Sequence, residues 1–516
     1  MTALPSTELP TTADVLVVGA GPTGLMLAVW LRRLRIDVVL VDGKSGPTRE
    51  SRALALQART MEIYEQLGLV SAVLAQVQPA AALRPGFERR ALGVLPIGSL
   101  GTGLTPFPRL YMMEQSKTER LLGEELVRLG GTVHWDTRLE ALTQHAAVDG
   151  TRQVTAEVGG PAGSTTITAR YCVGADGGSS TVRRLCGIPF EGITNAQTFY
   201  VADAVGVQGL DHGSINLRFG SRNLLLSFPM VGEDHHRLLG TVPDDSTLDL
   251  SEDAARRILK ETFGVTYAER TWFSTYRIHH RVASAFRQGN VFLAGDAGHV
   301  HSPVGAQGMN TGLQDAHNLA FKLSDVLRGK APDTYLDRYE AERRPVALRL
   351  VGTTDKLFHA VTSPGRAARA LRRIAPGLIF PVATRVVPRL PGASRFFQYV
   401  SQIRIHYWMS DEEKAASGGK RDRVVGRRLP WTGPNFAPLQ DLCWQVHAYG
   451  AADRERLTEL GRRLGVPVHA FPAAADAGLE ETKYYLVRPD GFVAAAAARG
   501  EAESVLAKAL PWTVMG

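Results

Sequence analysis

Hydrophobic residues along the chain fall into two periods, and their alternation predicts the elements. Near the amino end an apolar run, Val15 to Val18, breaks at Gly19-Ala-Gly21-Pro22-Thr23-Gly24. Apolar positions then recur at helical spacing from Leu25 to Leu34, and a second apolar run closes at Asp42. This order reads as strand, tight turn, helix, strand. An amphipathic helix stopped at Gly68 follows, with Arg52 in the loop that enters it. The stretch Ala80 to Thr105 is rich in Pro and Gly, has no clean period, and reads as a crossing between domains. A helix with Gln115 and Glu119 near its start ends at Gly130-Gly131, and strands are expected at Thr132–Trp135, Arg152–Val158 and Ser164–Val173. Cys172 to Arg183 repeats the strand-turn-helix pattern. From Phe190 to Trp272 short apolar bursts alternate with polar residues between Gly, Asp and Pro, the pattern of a mostly antiparallel sheet placed as a wall or lid over a ligand. Finally Gly289 to Leu323 predicts a buried strand delivering Gly295-Asp296, a glycine-rich loop and a long helix from near Gly308.

The first element carries specific chemistry. Gly19 permits the turn, Gly21 lets a diphosphate approach the backbone, and Gly24 lets the helix sit close to the sheet. The unpaired N–H groups of the first helical turn favour an anion there. Asp42, eighteen residues after Gly24, stands where an acceptor for ribose hydroxyls is expected. Both strands, the helix and the terminal acid together favour a dinucleotide site over an ordinary strand-turn-helix. Two other patterns lead nowhere. Gly43-Lys-Ser45 has the ending of a phosphate-binding loop, but position 38 is Val where that motif needs Gly. His299 and His301 lack a third ligand at metal-binding spacing, so no metal is expected. Arg52 and Arg59 read equally well as surface charges, and Asp176 with Ser179 as a helix cap.

Composition narrows the setting. At 516 residues the chain exceeds what one core supports, and 44% hydrophobic with 21% charged residues is ordinary for a globular protein of two or three domains. Met1 to Ala13 holds no Lys or Arg and no apolar core, so it does not read as a secretory signal. No apolar run reaches the ~18 residues of a membrane span. The three cysteines, Cys172, Cys186 and Cys443, form no C-x-x-C pair and suit a reducing cytoplasm. The formal charge of +8 is concentrated between Val361 and Pro430, where fourteen Lys or Arg face four Asp or Glu. Without aromatic interleaving or a base-reading motif, this stretch reads as a solvated helical face and no nucleic-acid partner is expected.

The fingerprint at Gly19, Gly21 and Gly24, the segment Asp176-Gly177 to Arg183, and the segment Gly295-Asp296 to Asn310 occur in the order seen in class A flavoprotein aromatic hydroxylases, whose prototype is the para-hydroxybenzoate hydroxylase fold. The flanks agree: Ser-Arg52-Ala followed by Gln-Ala-Arg-Thr-Met-Glu62, Gln115 with Glu119, and Tyr339 with Glu342-Arg-Arg-Pro345. From about Lys420 the chain resembles the thioredoxin-like appendage of polyketide and phenol hydroxylases, through Val425-Gly-Arg-Arg-Leu-Pro430, a helix around Arg454 to Leu464, and Tyr484-Tyr-Leu-Val-Arg-Pro-Asp-Gly491. The resemblance implies an α/β chain: a Rossmann-like FAD-binding domain (1–80, 105–188 and 277–400), an inserted, mostly antiparallel β-sheet substrate domain (81–104 and 189–276), and a thioredoxin-like carboxy-terminal domain (415–516). Without C-x-x-C the last is assigned no redox activity.

Carried over by position, the resemblance gives these roles. Gly19, Gly21, Pro22, Thr23 and Gly24 cradle the FAD diphosphate, and Asp42 holds the adenosine ribose. Arg52 and Gln115 contact the FAD, Arg52 where the isoalloxazine swings between buried and exposed positions. Asp176 and Arg183 lie near the diphosphate and help receive NADPH or NADH. Gly295 and Asp296 meet the ribityl or diphosphate part, and Pro303, Gly305, Gly308, Met309 and Asn310 line the flavin ring. Relatives carry Gly-Gly-Gln-Gly where this chain has Gly305-Ala306-Gln307-Gly308, which costs ~1 kcal/mol if that position needs positive φ. The implied chemistry is reduction of FAD by NAD(P)H, addition of O2 to give a C4a-hydroperoxide, and oxygen transfer to a small aromatic substrate, polycyclic and of polyketide type. The flavin carries the reaction, so no side chain is assigned as catalytic, and the usual nucleophile motifs are indeed missing. No phenol base is named: Tyr200, His212, Arg218 and His236 fall in the sheet expected to cover the ring, and each reads first as an ordinary sheet residue. Baeyer–Villiger insertion, epoxidation or drug inactivation on the same scaffold, and a sequestering protein without turnover, remain as alternatives.

Overall fold

Five apolar runs lie side by side as parallel strands in the order Val291–Leu293, Gly163–Gly174, Thr12–Val18, Val38–Val41 and Val133–His134. The computed structural model describes residues 8–48, 53–146, 150–161, 163–221, 223–241, 251–301, 307–362, 393–407 and 423–512. Val15, Leu16, Val17 and Val41 are wholly buried, because both faces of this parallel sheet are covered and its strands need no polar side. The helix Pro22–Arg33 packs against both the helix Gln115–Arg128 and the long helix Gly308–Leu327. Two antiparallel strands, Arg138–Ala146 and Arg152–Gly160, extend the sheet beyond Gly163–Gly174. The first of these was not expected: its residues are largely exposed, and an edge strand with little to bury has a weak alternation.

The second sheet runs His299–Val300, Glu269–Ala283, Phe190–Val205, His236–Thr241, Leu224–Pro229, Ser214–Phe219, Ala82–Phe87 and Arg90–Ala91, with Leu95–Pro96 also on Ala82–Phe87. It is antiparallel except where Ala82–Phe87 pairs parallel with Ser214–Phe219. The Pro- and Gly-rich stretch is therefore a set of edge strands of this sheet. The alternating segment also contains a helix that the strand pattern hid. Glu252–Ile258, capped by Ser251 and continued by a π turn to Phe263, packs on one face of the sheet. A small sheet of Ala55–Leu56, Leu110–Met112 and Gln78–Ala80 sits beside the other face.

Residues 423–512 form a fourth sheet in the order Val468–Phe471, Gln445–Tyr449, Lys483–Val487, Val493–Ala498. Its first two strands are parallel and the others antiparallel. Helix Arg454–Leu464, capped by Asp453, joins the parallel pair, and helix Ala502–Ala509 follows the last strand.

Candidate active site

Three chain segments leave the parallel sheet at the same end. Gly19 N donates to Val41 O at 2.8 Å, Ala175 N to Val18 O at 2.8 Å, and Ala294 N to Gly174 O at 2.9 Å, so the Gly19, Asp176 and Asp296 turns are neighbours in register. This is the end of a parallel sheet where ligands bind. Gly19 has φ +105°, and a Cβ there would run into the Ala175 carbonyl; a Cβ at Gly24 would collide with the Gly19 carbonyl. At Gly21 a Cβ would meet nothing within 4 Å. The helix behind it has Pro22 in its first turn and no side-chain cap, leaving its N–H groups for an anion. Thr23 locks the third segment in place: side chains at Gly295 (φ +59°) or Gly312 would collide with its hydroxyl.

Asp42 Oδ2 accepts from Ala20 N at 2.7 Å and Oδ1 from Lys44 N at 2.8 Å, which holds a carboxylate beside the fingerprint turn. Gln115 accepts from Ala53 N at 3.2 Å and donates to Glu119 at 2.9 Å, while Glu119 accepts from Thr48 N at 3.0 Å. The helix cap is Ser180, not Ser179, and Asp176 backs it, accepting from Ser180 Oγ at 2.5 Å and from Thr181 N at 2.6 Å. Burial pushes its carboxyl up, against the pull of those bonds. Arg183 donates to Ala297 O and Gly178 O, both at 2.8 Å, and its guanidinium lies 3.8 Å from the Phe190 ring centroid. It thus ties the second segment to the third, and burial lowers its pKa. Asp296 is exposed at the tip of its turn.

One clamp under this turn had no assigned role in the sequence reading. Asp315, wholly buried, accepts from Gly295 N at 3.1 Å and Arg343 Nε at 2.7 Å, and its Oδ2 lies 2.8 Å from His299 Nε2. Burial alone would raise the Asp315 carboxyl, yet Arg343 and His299 beside it hold it below the usual range. The signal was a carboxylate within a helix that follows a glycine-rich loop, together with the Glu342-Arg-Arg-Pro345 motif.

Several expectations are revised. Asn310 spends its side chain within the protein: Oδ1 accepts from Gln57 N at 2.9 Å and Thr60 Oγ1 at 2.7 Å, and Nδ2 donates to Ala55 O at 2.8 Å. A contact of Asn310 with a cofactor would therefore come from its backbone. Gly308 and Met309 precede it in the same uncapped helix start. Arg52, Pro303 and Gly305, with Ala306, lie outside the described residues. Arg59 is buried at 4% exposure and is no surface charge.

The four polar residues Tyr200, His212, Arg218 and His236 gather on the outer side of the second sheet, the side of the Glu252–Phe263 segment. Tyr200 joins Ala202, Leu225 and Leu238 in the cluster under the Glu252–Phe263 segment, on the face opposite Phe199 and Val201. His236 alternates with Arg237 and bonds Ser227 Oγ at 2.8 Å and His212 Nδ1 at 3.1 Å on that same outer side. Arg218, opposite Leu225, follows the same parity. The inner face carries Phe199, Val201 and Leu239, with Leu226, Trp272 and Tyr276 packed against them. Ile215 and Met230 continue this face onto Leu54, Ala55 and Met112. It carries the charged pair Asp203 with Arg237, a fork of two 2.7 Å bonds; Arg237 NH1 also reaches Ala53 O at 3.2 Å. A broad apolar wall with one polar corner thus faces the segment that joins the Asn310 turn to Gln115.

The open cradle at Gly21, the uncapped helix starts at Pro22 and Gly308, and the carboxylate at Asp42 fit a flavin dinucleotide. The class follows from a family model described as an FAD binding domain, which matches residues 12–354: the chain belongs to that family of flavoproteins and is an FAD-dependent aromatic monooxygenase. It is 34% identical to the 6-methylpretetramide 4-monooxygenase of Streptomyces rimosus over 97% of this chain and 94% of that one. It is 32% identical to the rifampicin monooxygenase of Rhodococcus hoagii over 93% and 95%. Among solved structures, the OxyS anhydrotetracycline hydroxylase of Streptomyces rimosus superposes with a TM-score of 0.73 at 30% identity, covering 98% of this chain and 99% of that one.

Proposed function

We propose that the chain hydroxylates a planar, polycyclic aromatic compound of polyketide type, using NADPH or NADH as reductant and O2 as oxidant. The observation that carries this reading is the inner sheet face, where Phe199, Val201, Leu226, Leu239, Trp272 and Tyr276 offer one continuous apolar surface. Such a surface suits a multi-ring substrate, with Asp203 and Arg237 as the polar corner that fixes orientation. When bound, the flavin supplies the oxygen-activating chemistry. The protein's part is to hold and enclose. The fingerprint turn and Asp42 take the diphosphate and ribose, Asp176, Arg183 and Asp296 border them, and the start of the long helix at Gly308 faces the ring. A helix N-terminus there favours negative charge by ~1 kcal/mol.

In this reading the second sheet is the substrate domain, the parallel sheet the FAD-binding domain, and residues 423–512 the thioredoxin-like domain, whose strand order and parallel–antiparallel pattern support that name. The test is NAD(P)H consumption by the purified holoenzyme with tetracyclic phenols under 18O2. The expected result is substrate-stimulated turnover and a product carrying one 18O on a ring carbon. Consumption that no aromatic compound stimulates would exclude it. The similarity to a rifampicin monooxygenase over nearly the whole chain supports a second reading, inactivation of a polycyclic drug, which loss of antibacterial potency in the product would reveal.

A further inference from the structure

The carboxy-terminal unit buries a concentration of charge against the cofactor-binding part. Glu62 accepts from Arg428 through Nε at 2.9 Å and NH2 at 2.8 Å, from Arg59 NH1 at 3.1 Å and from the Thr105 hydroxyl at 2.7 Å. Arg59 also donates to Asp490 O at 2.6 Å, and Gln66 to Leu439 O and Pro489 O, both at 2.7 Å. A second knot joins Glu342 to Lys322 at 2.8 Å and to Arg488 at 2.6 Å, Arg488 to Asp490 at 2.6 Å, and Asn318 to both Glu342 and Asp490. All of these side chains are buried. Burying ion pairs adds little net stability over apolar packing, but it penalises any arrangement that leaves one partner alone. Such knots therefore specify position more than they stabilise.

The elements they grip are informative. The first knot holds the helix Ala58–Gln66, and the second holds the long helix Gly308–Leu327 near its middle. These two helices meet at the other end through Asn310, which bonds Gln57, Thr60 and Ala55. We infer that the carboxy-terminal unit is a brace for the cofactor site: Arg428, acting on Glu62, and the Arg488–Asp490 turn, acting on Asn318 and Lys322, set the spacing of the two helices whose junction at Asn310 forms the flavin-facing turn. Arg428, Arg488 and Asp490 are positioning residues. This rests on the reading of the Gly308–Asn310 turn as facing FAD.

The test is reconstitution of full-length apoprotein with FAD, read as a dissociation constant by flavin fluorescence well below the melting temperature. Arg428→Met should weaken FAD about tenfold, a loss of ~1.4 kcal/mol, and Glu62→Gln and Asp490→Asn should shift it the same way. The exposed Arg463–Glu503 pair of the same unit is the control, and Arg463→Ala should leave FAD affinity within about twofold of wild type. The reversed pair Glu62→Arg with Arg428→Glu should regain part of the loss. If Arg428→Met does not fold, Glu62→Gln and Asp490→Asn carry the test. Equal drops in the melting temperatures of apo and holo forms, with FAD affinity unchanged, would overturn the brace. A wild-type chain that takes up no FAD would instead sink the flavin reading itself.

Discussion

Gly21 and Gly24 belong to one turn, yet they answer to different physics. A methyl group at Gly24 would strike the Gly19 carbonyl, so its absence is a packing requirement of the empty fold. At Gly21 the space is open, so the absence of a side chain there matters only to what approaches from outside. Gly21→Ala should therefore leave the apoprotein's stability unchanged or slightly raised, by up to about 1 kcal/mol, while weakening FAD at least tenfold. Gly24→Ala should lower apoprotein stability by about 2–3 kcal/mol. Thermal melts of both apoproteins, paired with FAD titrations, check the contrast; equal behaviour would mean that the two glycines share one role. Asp315 makes the complementary point. Its identity is readable in the sequence, but its work is done on Gly295 N and on Arg343, 28 residues further along.

At the scale of elements, the alternation between Phe190 and Trp272 predicted a sheet and said which residues share a face. It did not say what covers each face, because both meet apolar material, the Glu252–Phe263 segment on one side and the 54–56 and 110–112 strands on the other. The inner and outer sides give opposite expectations. Tyr200 is buried on the outer side and its hydroxyl has no hydrogen-bond partner among the described residues. Tyr200→Phe should leave kcat and KM unchanged and stability level or higher, by up to about 1 kcal/mol. Leu226→Ala, on the inner side, should raise the KM of the aromatic substrate about fivefold to tenfold, on the scale of lost apolar contact. Steady-state kinetics on both variants decide it, and a kinetic loss in Tyr200→Phe with none in Leu226→Ala would reverse the assignment of faces.

Over the whole molecule, histidines buried without charge set a pH limit. Burial, with His212 and His235 nearby, brings His236 down to about 4, and burial with His469 nearby brings His447 down to about 3. In the unfolded chain both take up a proton near pH 6.5, whereas in the folded chain they resist until those lower values. Their contribution to stability is therefore complete above pH 6.5 and is lost as pH falls toward 4 for His236 and toward 3 for His447. Urea unfolding at pH 7 and near pH 4.5 should show a fall, and His236→Gln should make it shallower by on the order of 2 kcal/mol. An unchanged slope in that variant would remove His236 from the account. Among the described residues no helix is long and apolar enough to cross a membrane.

By itself the sequence determined what depends on neighbours along the chain: the glycines of the fingerprint turn, the acid after the second strand, the turn at Asp176, and the periods that separate strand from helix. Backbone conformation and local spacing are enough for these, and so the local form of the Gly19, Asp176 and Asp296 turns was legible. The tertiary structure alone decided which face of the second sheet packs toward Leu54, Ala55 and Met112, that Asn310 faces inward to protein, and that Glu62 finds Arg428 across 366 residues. The physical reason is the same in each case. A buried polar group is defined by the partner that satisfies it, and a face by what covers it, and chain order encodes neither.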